Sequence, residues 1–461
     1  MKKISILLCM VIQVFIVRAQ PDAAIQSYMN TNHIPGCAAV VLKDGRIVYE
    51  NYFGYANFQT SQLVSANSIF MLASISKTIT ATALMNENEN GAFNLNDDVD
   101  NNLPFTVRNP NFNSVPITYK QLLTHTSSIQ DDWGTLNSAY VSGDSPISFY
   151  DWFNGYLVPG GAYYTANNYY NYAPATTYNY CNESSALCGY LTAQLSGQAF
   201  DSYCNDSIFT KLCMDNTSWL LSGLDTTKIV RPYSYVNSNY VDNGLYGYPD
   251  YPDGQLRTTA ISLAKFMEMH INSGIFDSNR VLDSLTVNNM RTIQFPSIQA
   301  DQGLIFYTFD DLGRTIWGHS GGDAGVSTNM YFDLADKTGV IVLTNGEEDP
   351  YPITQLLFNY ASGIPSGTGP LLTCNTTTTS IETIMEPVNI SIYPNPVSKI
   401  LWIEGNDHIL GNIYNSFGQL VLTGSNQNNV NIENLPRGLY FIEIKNSISL
   451  NKIKVLKFSK E

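Results

Sequence analysis

Apolar and polar positions near the start of the chain follow a strand-like pattern. Residues 38–42 and 46–53 read as two strands, joined at Lys43-Asp44-Gly45, where Asp-Gly favours a tight turn. A helical stretch precedes them. Apolar residues at helical spacing then dominate, over 76–84, 119–123, 184–195 and 260–271. Strand patterns return at 315–319, 328–332 and 339–343, with Asp336-Lys337-Thr338 in a turn. Strands at both ends and helices between them predict an α+β unit. One antiparallel sheet would be closed from both termini, with a helical lobe inserted.

The pattern changes again after residue 362. Residues 363–370 are rich in Gly, Pro, Ser and Thr, and 375–380 are mostly Thr, so 363–387 reads as a linker. Residues 388–461 alternate apolar and polar positions without a helical period, which predicts a small all-β sandwich. Residues 161–180 are crowded with Tyr and Asn. They read as a long loop packed by its own aromatics, with a substrate-facing lip as the sharper alternative.

The first residues have the make-up of a signal peptide, 1–20. Lys2 and Lys3 precede an apolar run over 4–17, and Arg18-Ala19-Gln20 leads into polar sequence. That run is about fourteen residues, against roughly twenty for a membrane span. No later stretch is long enough to span, so no integral membrane segment is expected after cleavage.

Composition narrows the function classes. A length of 461 residues suggests two or three domains. With 44% hydrophobic and 14% charged residues, a sizeable core is expected rather than disorder. The formal charge of −15 argues against nucleic acid or an anionic membrane as partner. Once Cys9 leaves with the signal, Cys37, Cys181, Cys188, Cys204, Cys213 and Cys374 remain, with no CxxC pair or zinc-like Cys/His spacing. Their pairing is left open.

Three short motifs carry candidate chemistry. In Ser74-Ile75-Ser76-Lys77, residues three apart share a helix face, so the serine and lysine would point into one cleft. A serine hydroxyl needs such a neighbouring base, and a helix N-terminus offers N–H groups to an oxyanion. In Tyr180-Cys181-Asn182, a phenol can relay a proton and an amide can hold a carbonyl and the lysine. Taken alone, that motif reads equally as a packed tyrosine beside a helix cap. In His319-Ser320-Gly321-Gly322, small residues at a strand edge let a substrate backbone approach; alone it could be a turn.

In this order the motifs resemble the serine β-lactamase and penicillin-binding protein superfamily. More closely they are similar to the branch of class C β-lactamases, D-alanyl-D-alanine carboxypeptidases and esterases, whose second box is Tyr-x-Asn. The resemblance runs from about residue 34 to 358. It includes Ile34-Pro35-Gly36, Leu122-Leu123-Thr124-His125-Thr126-Ser127, the segment 211–217, Ser273-Gly274 and the final hairpin to Asn345-Gly346. It implies that Ser74 is the nucleophile, that Lys77 and Tyr180 share the base role, and that Asn182 orients them. His319, Ser320 and Gly321 would bind substrate, with the backbone N–H groups of Ser74 and Gly322 as oxyanion hole. His125 is expected to be a satisfied buried histidine.

Some positions depart from that pattern. His319 stands where a lysine is common, Cys181 replaces a serine, and Ser128 and Cys213 replace glycines. A neutral histidine weakens the case for a dedicated β-lactamase, whose substrates carry a carboxylate. Isolated lysine and tyrosine have pKa values near ~10.4 and ~10. The Lys77–Tyr180 pair is therefore expected to titrate well below them, to act near pH 7.

The C-terminal part resembles the type A sorting domain of the type IX secretion system. The residues that carry this are Ile392-Tyr393-Pro394-Asn395-Pro396, Ile413-Tyr414-Asn415, Phe417-Gly418-Gln419, Asn434-Leu435-Pro436-Arg437-Gly438-Leu439-Tyr440 and the basic end at Lys452, Lys454 and Lys457. It implies export past the outer membrane of a Gram-negative cell, to the surface or the medium. The whole reads as a secreted serine hydrolase of amides or esters, using no metal or cofactor. Its partners would be a small-molecule or peptide substrate and the type IX machinery. The alternatives are a true β-lactamase and a non-catalytic surface protein that binds with the same cleft.

Overall fold

The computed structural model describes residues 21–376, 391–404, 409–415, 420–423, 429–446 and 452–461. The expected signal peptide, residues 377–387 of the expected linker and 388–390 at the start of the expected sandwich lie outside the described residues. The chain divides into two compact units, 1–380 and 381–461.

In the first unit, helix α1 (Asp22–Thr31) leads into strands β1 (Gly36–Lys43) and β2 (Arg46–Asn57). Asp44 and Gly45 link them with φ of 51° and 70°, the doubly left-handed turn that the Asp-Gly pair favours. Strand β3 (Gln62–Leu63) lies on the outer edge of β2. The chain returns 250 residues later through β4 (Tyr307–Asp311), β5 (Arg314–Asp323), β6 (Val326–Asp333) and β7 (Thr338–Thr344). The seven-stranded antiparallel sheet runs β4-β5-β6-β7-β1-β2-β3, so the first and last parts of the unit meet at its centre.

Both faces of this sheet are covered, which explains why β1, β6 and β7 are buried along their whole length. Cys37, Ala39 and Val41 of β1 and Val340 and Val342 of β7 face α1 and helix α5 (Tyr351–Ala361), against Ile25, Met29, Ile353 and Leu357. The alternate residues, Ala38, Val40, Leu42, Ile341 and Leu343, face the inserted helical lobe. Each fully buried aliphatic side chain contributes about 1.5–3 kcal/mol relative to exposure.

The lobe is organised around helices α2 (Ser76–Glu89), α3 (Asn182–Ser196) and α4 (Ala260–Ile271). Helix α2 is buried on nearly every side although it carries three threonines. Their hydroxyls donate to backbone carbonyls, Thr78 to Ile75, Thr82 to Thr78 and Thr80 to Pro252, which removes the cost of burying them. The crowded stretch 161–180 is mostly irregular: Tyr169 is buried and Tyr163 lies against Trp152, while Tyr180 at its end is exposed.

The stretch read as a linker from residue 363 lies along β2 and its turn. Ile47 N–H donates to Pro370 O, Leu372 N–H to Gly45 O, and Arg46 to Gly369 O. A disulfide between Cys213 and Cys374 fastens its end. Cys37, Cys181, Cys188 and Cys204 are buried free thiols.

The second unit is all-β among its described residues. Ser391–Tyr393, Ile400–Glu404 and Asn429–Asn431 form one sheet, and Leu420–Thr423, Ile409–Asn415, Gly438–Asn446 and Lys452–Lys460 form another. Leu401 and Ile403 of the first share a core with Ile413, Ile442, Ile444 and Phe458 of the second. No described helix is long and apolar enough to cross a membrane.

Candidate active site

Ser74 sits in a short 3-10 turn, Ala73–Ile75, that runs directly into α2. Ala73 has φ of 48°, a left-handed conformation that costs a non-glycine residue about 1–2 kcal/mol. Neighbouring bonds hold it there: Leu72 N–H donates to Leu256 O, and Leu72 O accepts from the Thr328 hydroxyl. The bend presents Ser74 to a cleft of about 600 Å³. Lys77, one helical turn on and fully buried, donates from Nζ to Ser74 Oγ at 3.0 Å. The spacing in the sequence produces the contact it implies.

Tyr180 closes the group. Its ring faces the cleft and accounts for its 39% exposure, while its hydroxyl is packed within hydrogen-bonding reach of Ser74 and Lys77. Lys77 Nζ lies 5.1 Å from the ring centre. The ring is set between two histidines, with centroids 4.5 Å from His125 and 6.1 Å from His319. His125 Nδ1 accepts from Cys181 N–H, but Nε2 is buried with no partner, so the expectation of a satisfied histidine holds for one nitrogen only.

Asn182 lines the cleft at the first turn of α3. Its backbone N–H and that of Glu183 donate to Asp131, which occupies the helix N-terminus. The lysine's other bonds go elsewhere. Nζ donates to Asp253 O at 2.8 Å and lies 3.5 Å from Asp253 Oδ2. Sequence reasoning missed Asp253. It lies 176 positions from Lys77 within Tyr251-Pro252-Asp253-Gly254, which reads as an ordinary turn.

The third box lies within β5, not at its end. β4 pairs with β5 only up to Gly318, so the stretch 319–323 has one edge without a strand partner. Alternation then separates the box. His319 and Gly321 face Tyr180 and the Ser74 turn. The Ser320 hydroxyl is 3.1 Å from that of Tyr307 on the opposite face. Gly322 lines the cleft with Ser74, as an oxyanion pair requires.

Gly321 is the point where β5 touches the serine turn. A Cβ there would collide with Leu72 O and Thr328 Oγ1 and come within 3.0 Å of Ser74 N. Gly321→Ala should therefore push the strand from the turn. The expected result is at least a tenfold loss of Ser74 acylation by a serine-directed probe, with a stability cost of about 1–3 kcal/mol. Thermal melts and labelling rates measure both; unchanged labelling would show that the approach is not critical.

Electrostatics also depart from expectation. Burial pulls the Lys77 pKa down, but Tyr180, Asp253 and Asp131 outweigh it, and the ammonium is favoured. Burial raises the Tyr180 phenol, and Lys77 and Ser74 offset this only in part. Both groups are thus held above their ordinary values, the phenol by burial and the lysine by the acidic groups around it. His319 is pushed down to about 3 by burial, so it is neutral near pH 7. Burial lifts Asp253 well above the carboxylate range despite Lys77, and lifts Asp250 to about 6. Glu183 is raised well above that range by burial and by Asp250, and accepts the indole N–H of Trp152.

Two substitutions that the resemblance marks as departures have a local reading. Ser128 and Cys213, at positions usually glycine, have φ of 64° and 52°, so both keep the left-handed backbone that glycine adopts freely.

A family model described as Secretion system C-terminal sorting domain matches residues 391–457, and one described as Beta-lactamase matches 21–356. Protein flp of Staphylococcus aureus strain MRSA252 is 24% identical over 335 residues, which are 72% of this chain and 64% of that protein. Penicillin-binding protein 4 of Amycolatopsis lactamdurans is 27% identical over 334 residues, covering 68% of this chain and 82% of its own. Among solved structures, the D-amino acid amidase of Ochrobactrum anthropi SV3 superimposes with a TM-score of 0.60 at 16% identity, over 75% of this chain and all of that one. That likeness is one of fold. The match across most of the chain, on a fold that assembles Ser74, Lys77 and Tyr180 at one cleft, places the protein: the chain belongs to the beta-lactamase family.

Proposed function

We propose that the protein is an exported serine hydrolase that cleaves amides or esters through an acyl-enzyme on Ser74. The observation that carries this is the 3.0 Å bond from Lys77 Nζ to Ser74 Oγ, with the Tyr180 hydroxyl in reach of both. Ser74 Oγ attacks the substrate carbonyl carbon, and its proton passes to Tyr180. With Lys77 already an ammonium, the phenolate is the group with room for that proton. The oxyanion is met by the N–H groups of Ser74 and Gly322. Tyr180 returns the proton to the leaving nitrogen or oxygen. Water then releases the acyl group by the same steps in reverse roles.

A dedicated β-lactamase is the weaker reading, because His319 is neutral and the cleft lining contains no arginine or lysine to hold a carboxylate. The test is a panel of nitrocefin, short-chain nitrophenyl esters and D-amino-acid peptides. Turnover of an ester or peptide ahead of nitrocefin is the expected result, and nitrocefin far ahead of the rest would reverse the order.

The sorting domain supports export by the type IX system to the cell surface or medium of a Gram-negative bacterium. A chain ending at Thr376 keeps both cysteines of the disulfide. In a type IX-competent host it should retain activity inside the cell envelope and fail to appear outside. Normal export of that shortened chain would refute the sorting role.

A further inference from the structure

The cleft is far more acidic than the chemistry at Ser74 requires. Asp250, Asp253 and Asp323 all line it, with Asp131 and Glu183 packed close behind, against two cations: Lys77 beside Asp253 and Arg257, buried behind Tyr246 on the side of Asp323. Asp253 is only 7% exposed and uses Oδ2 towards Lys77, while its Oδ1 has no hydrogen-bond partner. Asp323 follows directly after the oxyanion residue Gly322. Its two oxygens are held by the hydroxyls of Tyr140 and Tyr248, which fix the carboxylate on the cleft wall. Those two rings, with Trp133, give the wall π faces.

Carboxyls crowded in this way repel one another, and the five share two cations. A built cleft with excess acid, an unpartnered buried carboxylate oxygen and aromatic faces is complementary to an organic cation. We infer that the cleft of this hydrolase recognises substrates bearing a free ammonium group, which Asp253 and Asp323 hold while the scissile carbonyl lies at Ser74. This rests on the serine-hydrolase reading and names its substrate class. An anionic substrate would meet the same carboxylates with repulsion and be rejected.

The test uses three fluorophosphonate probes with alkyl tails of equal length, ending in an ammonium, its acetamide or a carboxylate. Each adds phosphorus to Ser74 Oγ with loss of fluoride, and intact-mass spectrometry of the full chain gives the labelling rate. The ammonium probe should label at least tenfold faster than the acetamide, with the carboxylate slowest. The preference should persist at about 1 M salt, where the Debye length is about 3 Å and the charge of the whole chain is screened. In Asp323→Asn the ammonium-to-acetamide ratio should fall towards one.

Equal labelling by the ammonium and acetamide probes would overturn the inference and leave the hydrolase reading standing. A preference that disappears at high salt would also overturn it, since net charge alone would then explain the attraction. If none of the probes forms an adduct on Ser74, the hydrolase reading fails and the ammonium subsite falls with it.

Discussion

Ser74→Ala should lower the acylation rate about ten-thousand-fold or more, to the background of the unlabelled protein. Removal of the nucleophile from a group that acts as a unit costs about as much as removal of the whole group. The change deletes one oxygen on a half-buried turn. Lys77 keeps both of its contacts with Asp253, so the ammonium is not stranded. The melting temperature should move little, within the roughly ±0.5 kcal/mol typical of positions where no buried partner is lost. Peptide mapping of the wild-type adduct is the decisive measurement. An adduct on any other residue would remove Ser74 from its role.

Tyr180→Phe should reduce kcat/KM by about 10^2–10^4, the usual contribution of a positioned acid–base group. The pH dependence gives the sharper reading. The phenol is raised by burial, and a base with a raised pKa is mostly protonated at neutral pH. The wild-type acylation rate should therefore climb with pH, about tenfold per unit, from pH 7 until the pair titrates. Tyr180→Phe should lose that slope. A wild-type rate that is flat between pH 7 and 9, or a variant within tenfold of wild type, would place the base elsewhere. Lys77 would contribute as the cation that keeps the phenolate accessible.

The parts of the fold that the sequence discloses are those with a local cause. The β1–β2 hairpin is legible because Asp44-Gly45 admits two left-handed residues, and the central strands because they are unbroken apolar runs. The contact between Ser74 and Lys77 is legible because helical spacing alone brings residues 74 and 77 together. Asp253 is hidden, since the contact that matters to it is with a residue 176 positions away. The acid-rich character of the cleft is hidden for the same reason: Asp131, Glu183, Asp250, Asp253 and Asp323 lie on separate segments. The direction of the Lys77 shift depends on that acidic surrounding, which the sequence does not display. The facing of Ser320 was legible too, because strand alternation puts His319 and Gly321 on one face and Ser320 on the other. The stretch after residue 362 is rich in linker-like residues, yet backbone bonds to Gly45 and Ile47 hold it; composition does not register such pairing.

One topological fact bears on how the unit comes into being. Strand β1 has β7 as its neighbour, with Cys37 opposite Thr344. The two halves of the sheet centre therefore leave the ribosome about 300 residues apart. Until β7 emerges, β1 and β2 can form only a hairpin with the two-residue β3 on its outer edge, which is at best marginally stable alone in water. The nascent chain thus has no route to a finished core before synthesis of the unit is nearly complete, and pairing so distant in sequence is slow to nucleate. A protein built this way stays open along most of its length for almost the whole of its translation.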